Sequence, residues 1–266
     1  MNAVDPQRQG RQGIEDSVEL FIKNTYESGG MRGNPDLITI LCEEANDARD
    51  WISAHGGIWD EGNVHLTAGG CWPRSLDAAQ STAETYIEPL AQEIVRAGGR
   101  IVRDMEAYSL LTDYYGRVVG VSARGTASGK EYRLIGEKGI VLATGGYGAN
   151  LDMVWKYCAY IPRTIETETA PSATGDGIVM AQQLGAAVTD MDCVQMALTT
   201  AENGLFFTDE INNCIYVNRE GKRFVSEEAD NSSLCAPSSG SRTEGPMRFL
   251  TATPSGKILS IRAAGR

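Results

Sequence analysis

Imidazole is scarce in this chain: His55 and His65 are its only histidines. A metal centre built on histidine is therefore excluded as a first expectation. Six cysteines, Cys42, Cys71, Cys158, Cys193, Cys214 and Cys235, are widely spaced and none forms a CxxC pair. Finger- or ribbon-type zinc sites are excluded with them, and buried free thiols in a reducing compartment are expected instead. No apolar run approaches the roughly 18 residues a membrane span needs. Met1 to Gly13 is polar, with no leader-like apolar stretch. Positive charge is also short. Twenty-four Lys and Arg stand against 35 Asp and Glu, a formal net charge of −11. That argues against a nucleic-acid partner, which calls for a basic face. What remains is 266 residues, 42% hydrophobic and 22% charged, a globular composition expected in the cytoplasm by default.

Helical periodicity dominates the first hundred residues. Gly13 to Tyr26 reads as a helix, with Asp16 and Glu19 spaced as a capping box and Val18, Phe21, Ile22 and Thr25 on one face. Asn34-Pro35 opens a second, with Asn as N-cap and Pro at the first helical position. Its apolar residues run from Leu37 to Ile52, and Gly56-Gly57 stops it. Residues 58 to 75 read as loop. A third helix is expected from about Ala78 to Ala97, distorted or restarted at Pro89. Strand-type runs follow: Arg100 to Arg103, Ala107 to Thr112, Val118 to Ala123 and Tyr132 to Ile135. The last three form an antiparallel meander with turns at Asp113 to Gly116 and Gly125 to Gly129. Gly139 to Ala143 lacks polar alternation, so a strand buried on both faces is expected there. Gly175 to Val188 reads as a helix with Ile178, Ala181, Leu184 and Ala187 on one side. Residues 214 to 217 and 223 to 225 suggest a hairpin through Glu220-Gly221.

Three stretches carry chemistry. Ala143-Thr144-Gly145-Gly146-Tyr147-Gly148 follows the apolar run, and its glycines let main chain approach a ligand closely. The bland alternative is a tight turn with no ligand. Ala173-Thr174-Gly175-Asp176-Gly177 leads into a helix whose N-terminus favours anions and hydroxyl-rich ligands. The bland alternative is that Thr174 or Asp176 merely caps that helix. Gly175 and Gly177 make GxG, but Met180 stands where a dinucleotide fingerprint needs its third glycine. The third stretch, Asn218-Arg219-Glu220-Gly221-Lys222-Arg223-Phe224, is a charged turn, and a solvated one on the bland view.

In order, these stretches resemble the flavoprotein subunit of fumarate reductases and succinate dehydrogenases. Flavocytochromes c, urocanate reductases and 3-ketosteroid dehydrogenases are similar. The resemblance covers roughly residues 1 to 228, including the helix opening Asn34-Pro35-Asp36-Leu37 and Trp51-Ile52. It implies an α/β fold: an incomplete FAD/NAD(P)-binding, Rossmann-like domain with an antiparallel β-meander, then the start of an α+β capping domain. The divisions expected are 1–191 for the partial FAD-binding domain, 192–228 for the start of the capping, substrate-side domain, and 229–266 for an irregular tail. The tail is rich in Ser, Pro, Gly, Thr and Arg.

The resemblance further implies FAD as cofactor. Ala143, Thr144, Gly145 and Gly146 would lie against it, Thr174, Gly175 and Asp176 would form a second wall, and main chain near Ala107 would meet the adenine. The implied reaction is hydride transfer between flavin and an activated C=C bond of a small organic substrate, with an electron-donor protein or domain as a further partner. A non-catalytic fragment or a nucleotide-binding module is the alternative. Several family features are not matched. The GxGxxG segment that holds the FAD pyrophosphate is absent, so weak binding of FAD by the chain alone is expected. Phe206-Phe207 replaces a Thr-Glu pair, Ala197 matches a histidine, and the proton-donating arginine falls near Asn231. No catalytic residue is assigned. The two phenylalanines suggest a larger, more apolar electron acceptor than fumarate.

Overall fold

The structure is a computed structural model. It describes residues 1–67, 70–80, 83–161, 163, 167, 169–194, 222–223 and 226, together with the backbone of five short strands beyond 198. The chain divides into two compact units, Met1–Ile101 with Gln195–Arg266, and Val102–Val194.

The first unit is helical over its N-terminal part. α1 (Pro6–Arg11) was not expected, although Asp5-Pro6 is a cap followed by Pro at N1, and Asp5 Oδ1 accepts from the Arg8 amide at 3.0 Å. α2 (Val18–Ser28) begins later than expected. Its cap is Ser17, whose Oγ accepts from the Leu20 amide at 3.1 Å. Asp16 is withdrawn from capping by a stronger partner. Arg74 holds it through Nε and Nη2, each at 2.7 Å, and a bidentate guanidinium pair outcompetes one backbone amide.

Asn34 caps α3 (Pro35–Glu43) as expected, accepting from the Asp36 amide at 2.9 Å. The expected single helix instead breaks at Glu44 into α3 and α4 (Ala45–Ala54). The break turns α4 toward the N-terminal segment, where Asn46 Nδ2 donates to the Val4 carbonyl at 2.8 Å and Arg49 Nη1 meets Asp5 Oδ2 at 3.2 Å. The third helix is also split. A π-helical turn covers Ala83–Ile87 and α5 runs Glu88–Arg96, with Pro89 in its first turn. Pro89 thus restarts the helix where its missing N–H costs nothing.

Ala3, Val4, Phe21, Ile38, Cys42, Ala45, Val64 and Leu76 form the core of this part. A polar seam runs through it. Gln9, 1% exposed, donates from Nε2 to Asp16 Oδ2 at 2.7 Å and to the Pro73 carbonyl at 2.9 Å. Arg74 also donates to Asn24 Oδ1 at 3.0 Å and stacks over the Phe21 ring at 4.6 Å. Every buried charge here has a partner, as burial requires.

In the second unit β1 (Met105–Thr112), β2 (Val118–Gly125) and β3 (Glu131–Ile135) form the expected antiparallel meander, in the order β1-β2-β3. Ala107 pairs with Ala123, and Val121 lies between Leu110 and Leu134. The first turn is set by Asp113, whose Oδ1 accepts from the Tyr115 and Arg117 amides at 2.9 Å each. Those bonds, the Arg117 amide first, hold the Asp113 carboxyl below its usual range. α6 (Leu151–Tyr157) and α7 (Asp176–Gln183) complete the unit. α7 buries Gly177 and Met180 rather than the face of Ile178, Leu184 and Ala187.

Two expected strands are not formed. Arg100 to Arg103 and Gly139 to Ala143 have no ladder partner among the described residues, and Val141 is 90% exposed. An apolar run becomes a strand only when another strand satisfies its backbone groups. The expectation of buried thiols also holds only in part. Cys42 and Cys158 are buried, but Cys71 and Cys193 are exposed.

Beyond residue 198, β4 (Thr199–Thr200) pairs with β5 (Gly204–Leu205), antiparallel. β6 (Cys214–Val217) pairs with β7 (Arg248–Ala252), which pairs with β8 (Ile258–Arg262). Strand β6 is thus where residues 214 to 217 were expected to be extended, with β7 as its described neighbour. β7 and β8 lie within the stretch expected to be irregular; Phe249, Leu250, Ile258 and Ile261 supply β-forming apolar residues there. The Glu220-Gly221 turn, Phe224, Phe206-Phe207, Ala197 and Asn231 lie outside the described residues. Among the described residues, no helix is long and apolar enough to cross a membrane, and no group of three His, Cys, Asp or Glu could hold a metal ion.

Candidate cofactor site

All eight residues expected at the site fall in the second unit. Ala107 is half-buried in β1, and α7 packs against that strand. Ala143 to Gly146 form an exposed turn in which Gly145 adopts φ +71°. That φ lies in the left-handed region, which glycine enters without strain. A Cβ built on Gly145 or Gly146 would meet no atom within 4 Å. The space above both residues is therefore open to something else.

The second stretch adjoins the turn. Gly175 is the N-cap of α7 at φ +83°, and no side chain caps this helix. Thr174 and Asp176, the two candidates for capping, bond each other instead, Oγ1 to Oδ2 at 2.7 Å. The amides of the first turn are thus left to solvent or a ligand. Asp176 places its carboxylate at the helix start, exposed.

Packing brings the two stretches together. Thr144 sits against Gly177 so closely that any Cβ there would collide with the threonine side chain. The Ala149 amide donates to the Ala173 carbonyl at 2.9 Å, and Asn150 Nδ2 donates to the Thr174 carbonyl at 3.1 Å. Asn150 also caps α6, its Oδ1 accepting from the Met153 amide at 3.0 Å. The sequence reading missed Asn150, though Asn before an apolar helical run is a cap signature. It also missed the reason for Gly177, which is room for Thr144.

Tyr147 follows the turn and is buried. Its hydroxyl donates to the Met191 carbonyl and lies 3.9 Å from Cys158 Sγ. Burial, then the contact with Cys158, pushes its phenol pKa up, so the group remains a donor at neutral pH. Nothing in the sequence marks this residue beyond its place in the motif.

The first unit has a cavity of about 670 Å³, bordered by Phe21, Asn24, Leu41, Trp72 and Arg74. Its size and apolar walls suit a small organic molecule. No expected site residue lies there.

The family model described as FAD binding domain matches residues 1–246. The chain is 35% identical over 233 residues to the NADH:acrylate oxidoreductase of Vibrio harveyi, which covers 82% of this chain and 23% of that protein. It is 34% identical over 228 residues to the urocanate reductase of Eggerthella lenta, covering 82% and 37%. Among solved structures, the open conformation of a flavocytochrome c3 fumarate reductase superposes with a TM-score of 0.70 at 29% identity, over 87% of this chain and 41% of that one. The 3-ketosteroid-Δ4-(5α)-dehydrogenase of Rhodococcus jostii RHA1 shares the fold, with a TM-score of 0.69 at 22% identity over 90% and 54%. The chain thus spans about a quarter to two fifths of the length of these curated relatives.

Proposed function

The chain belongs to the FAD binding domain family, and on that premise we propose that it is part of an oxidoreductase acting on an activated C=C bond of a small organic molecule. Acrylate, urocanate and fumarate, the compounds in the relatives' names, each carry such a bond conjugated to a carboxylate. We read 1–191 as part of the FAD-binding domain and 192–228 as the start of the capping domain. An electron-donor protein or domain is the further partner in this reading.

The observation that carries it is the open Gly145-Gly146 turn laced to the uncapped start of α7. When bound, FAD would supply the redox chemistry, hydride passing from reduced flavin to the C=C bond or, in reverse, from the saturated CH–CH unit to oxidised flavin. The chain's own residues bind and orient. Gly145 and Gly146 offer main chain with no side chain in the way. The free amides at the start of α7 suit an anionic or hydroxyl-bearing part of the cofactor. Asp176 is placed to accept from a hydroxyl, and Thr144, fixed against Gly177, sets the height of the turn. Main chain of β1 near Ala107 completes this wall in the same reading.

The test is anaerobic. The full-length protein containing this chain is purified, its flavin absorbance measured, and the dithionite-reduced form mixed with acrylate, urocanate or fumarate. Bound flavin reoxidised by one of them is the expected result. Protein without flavin absorbance, even after incubation with FAD, overturns the reading.

A further inference from the structure

The turn from Gly139 to Gly146 makes no backbone hydrogen bond with any described residue. Gly145 and Gly146 have no neighbours that would meet a Cβ. Its C-terminal part is gripped at two places. Thr144 rests on Gly177. Directly after Gly146 stands Tyr147.

Tyr147 packs against α6 and the start of α7. A Cβ on Gly175 would lie 2.8 Å from the Tyr147 Cβ and 2.7 Å from Met153 Sδ, so the N-cap of α7 fits only because it is bare. The Tyr147 ring packs 6.0 Å, centroid to centroid, from the Tyr157 ring at the end of α6. Its carbonyl accepts from the Asn150 amide at 2.9 Å. Its hydroxyl ends on the Met191 carbonyl, beside the fully buried Cys158. A buried phenol needs a partner for its O–H, and this one finds it on a segment more than forty residues away in sequence.

We propose that Tyr147 is a positioning residue of the cofactor site: its phenol, anchored on the Met191 carbonyl, holds the Thr144–Gly146 turn against the start of α7. This rests on reading that turn as part of the FAD site. Tyr147 does not itself touch the cofactor in this scheme. Because the phenol stays protonated at neutral pH, the anchor persists across the physiological range.

The experiment compares wild type, Tyr147→Phe and Gly145→Val by amide hydrogen exchange and by FAD titration, in the 266-residue chain and in the full-length protein. Tyr147→Phe keeps the ring and loses only the anchor. Exchange of the Ala149 amide, which bonds to Ala173, is expected to quicken roughly five- to tenfold, with FAD affinity in the full-length protein falling by a similar factor. The β2 amides should be unchanged. Equal acceleration in β2 would make Tyr147 a general stabiliser and overturn the proposal, as would an unchanged Ala149 amide. If Gly145→Val weakens FAD binding and Tyr147→Phe does not, the positioning role fails alone. If neither variant changes FAD affinity in the full-length protein, or full-length wild type binds no FAD, the assignment of the turn to the cofactor is what fails.

Discussion

Residues 118–123 (Val-Val-Gly-Val-Ser-Ala) and 139–143 (Gly-Ile-Val-Leu-Ala) are both short runs of mostly small and aliphatic residues, with opposite outcomes. The first is β2, bonded on both edges, with Ala123 only 2% exposed. The second is unpaired, with Val141 and Leu142 exposed. The difference is whether the backbone groups find a partner. β2 finds β1 and β3 across turns of a few residues, at small loop-closure cost. The 139–143 run follows β3 by only three residues, yet it pairs with no strand among the described residues. A strand is a property of a pair, and an apolar run states only that a pair would be favourable.

Charge placed in each kind of environment tests that view, and the largest effect should come from a site where charge already resides. Asp16 is tolerated in the first unit because Arg74 holds it, with the two side chains 1% and 4% exposed. Arg74→Met removes the partner and leaves a buried carboxylate, which should cost about 3–5 kcal/mol in urea unfolding followed by circular dichroism. A loss below about 1 kcal/mol would show that Asp16 escapes to solvent. Ala123→Asp puts an unpaired charge into the paired run and should cost about 3 kcal/mol by the same measurement, with loss of protection in β1–β3.

Gly145→Val tests the turn that follows the unpaired run. A β-branched residue at φ +71° should cost the cofactor-free protein about 1–2 kcal/mol. The same change should weaken FAD binding at least about tenfold in fluorescence titration, since the side chain fills the space left for the ligand. Equal FAD affinity in variant and wild type would remove the turn from the site. Val141→Asp is the smallest change expected, within about 0.5 kcal/mol in this chain. A cost of several kcal/mol would mean that the unpaired run is covered after all, and the contrast with β2 would collapse.

Local signals were legible in the sequence. Asn34-Pro35 opened its helix, Pro89 marked a restart, and the meander appeared with its turns. The three chemical stretches were also in view, and two of them converge in the structure. What could not be read depends on partners far along the chain. Asp16 looked like a cap because Arg74, 58 residues on, is invisible to a local window. The break at Glu44 is directed by Asp5 and Val4. Gly177 read only as the second glycine of an incomplete GxG, whereas the structure uses its missing Cβ to seat Thr144. Tyr147 carries no local signal, because its bonding partner is a carbonyl that any residue could supply.

The described thiols form a ready-made clock for the opening of each unit. Cys71 and Cys193 are exposed and should react with a thiol reagent in a first fast phase. Cys42, in the core of the first unit, and Cys158, beside Tyr147 in the second, can react only when their surroundings open. Peptide mapping of labelled protein over time therefore yields two separate opening rates from one unmodified sample. Adding FAD should slow the labelling of Cys158, giving a readout of ligand binding that needs neither flavin colour nor turnover.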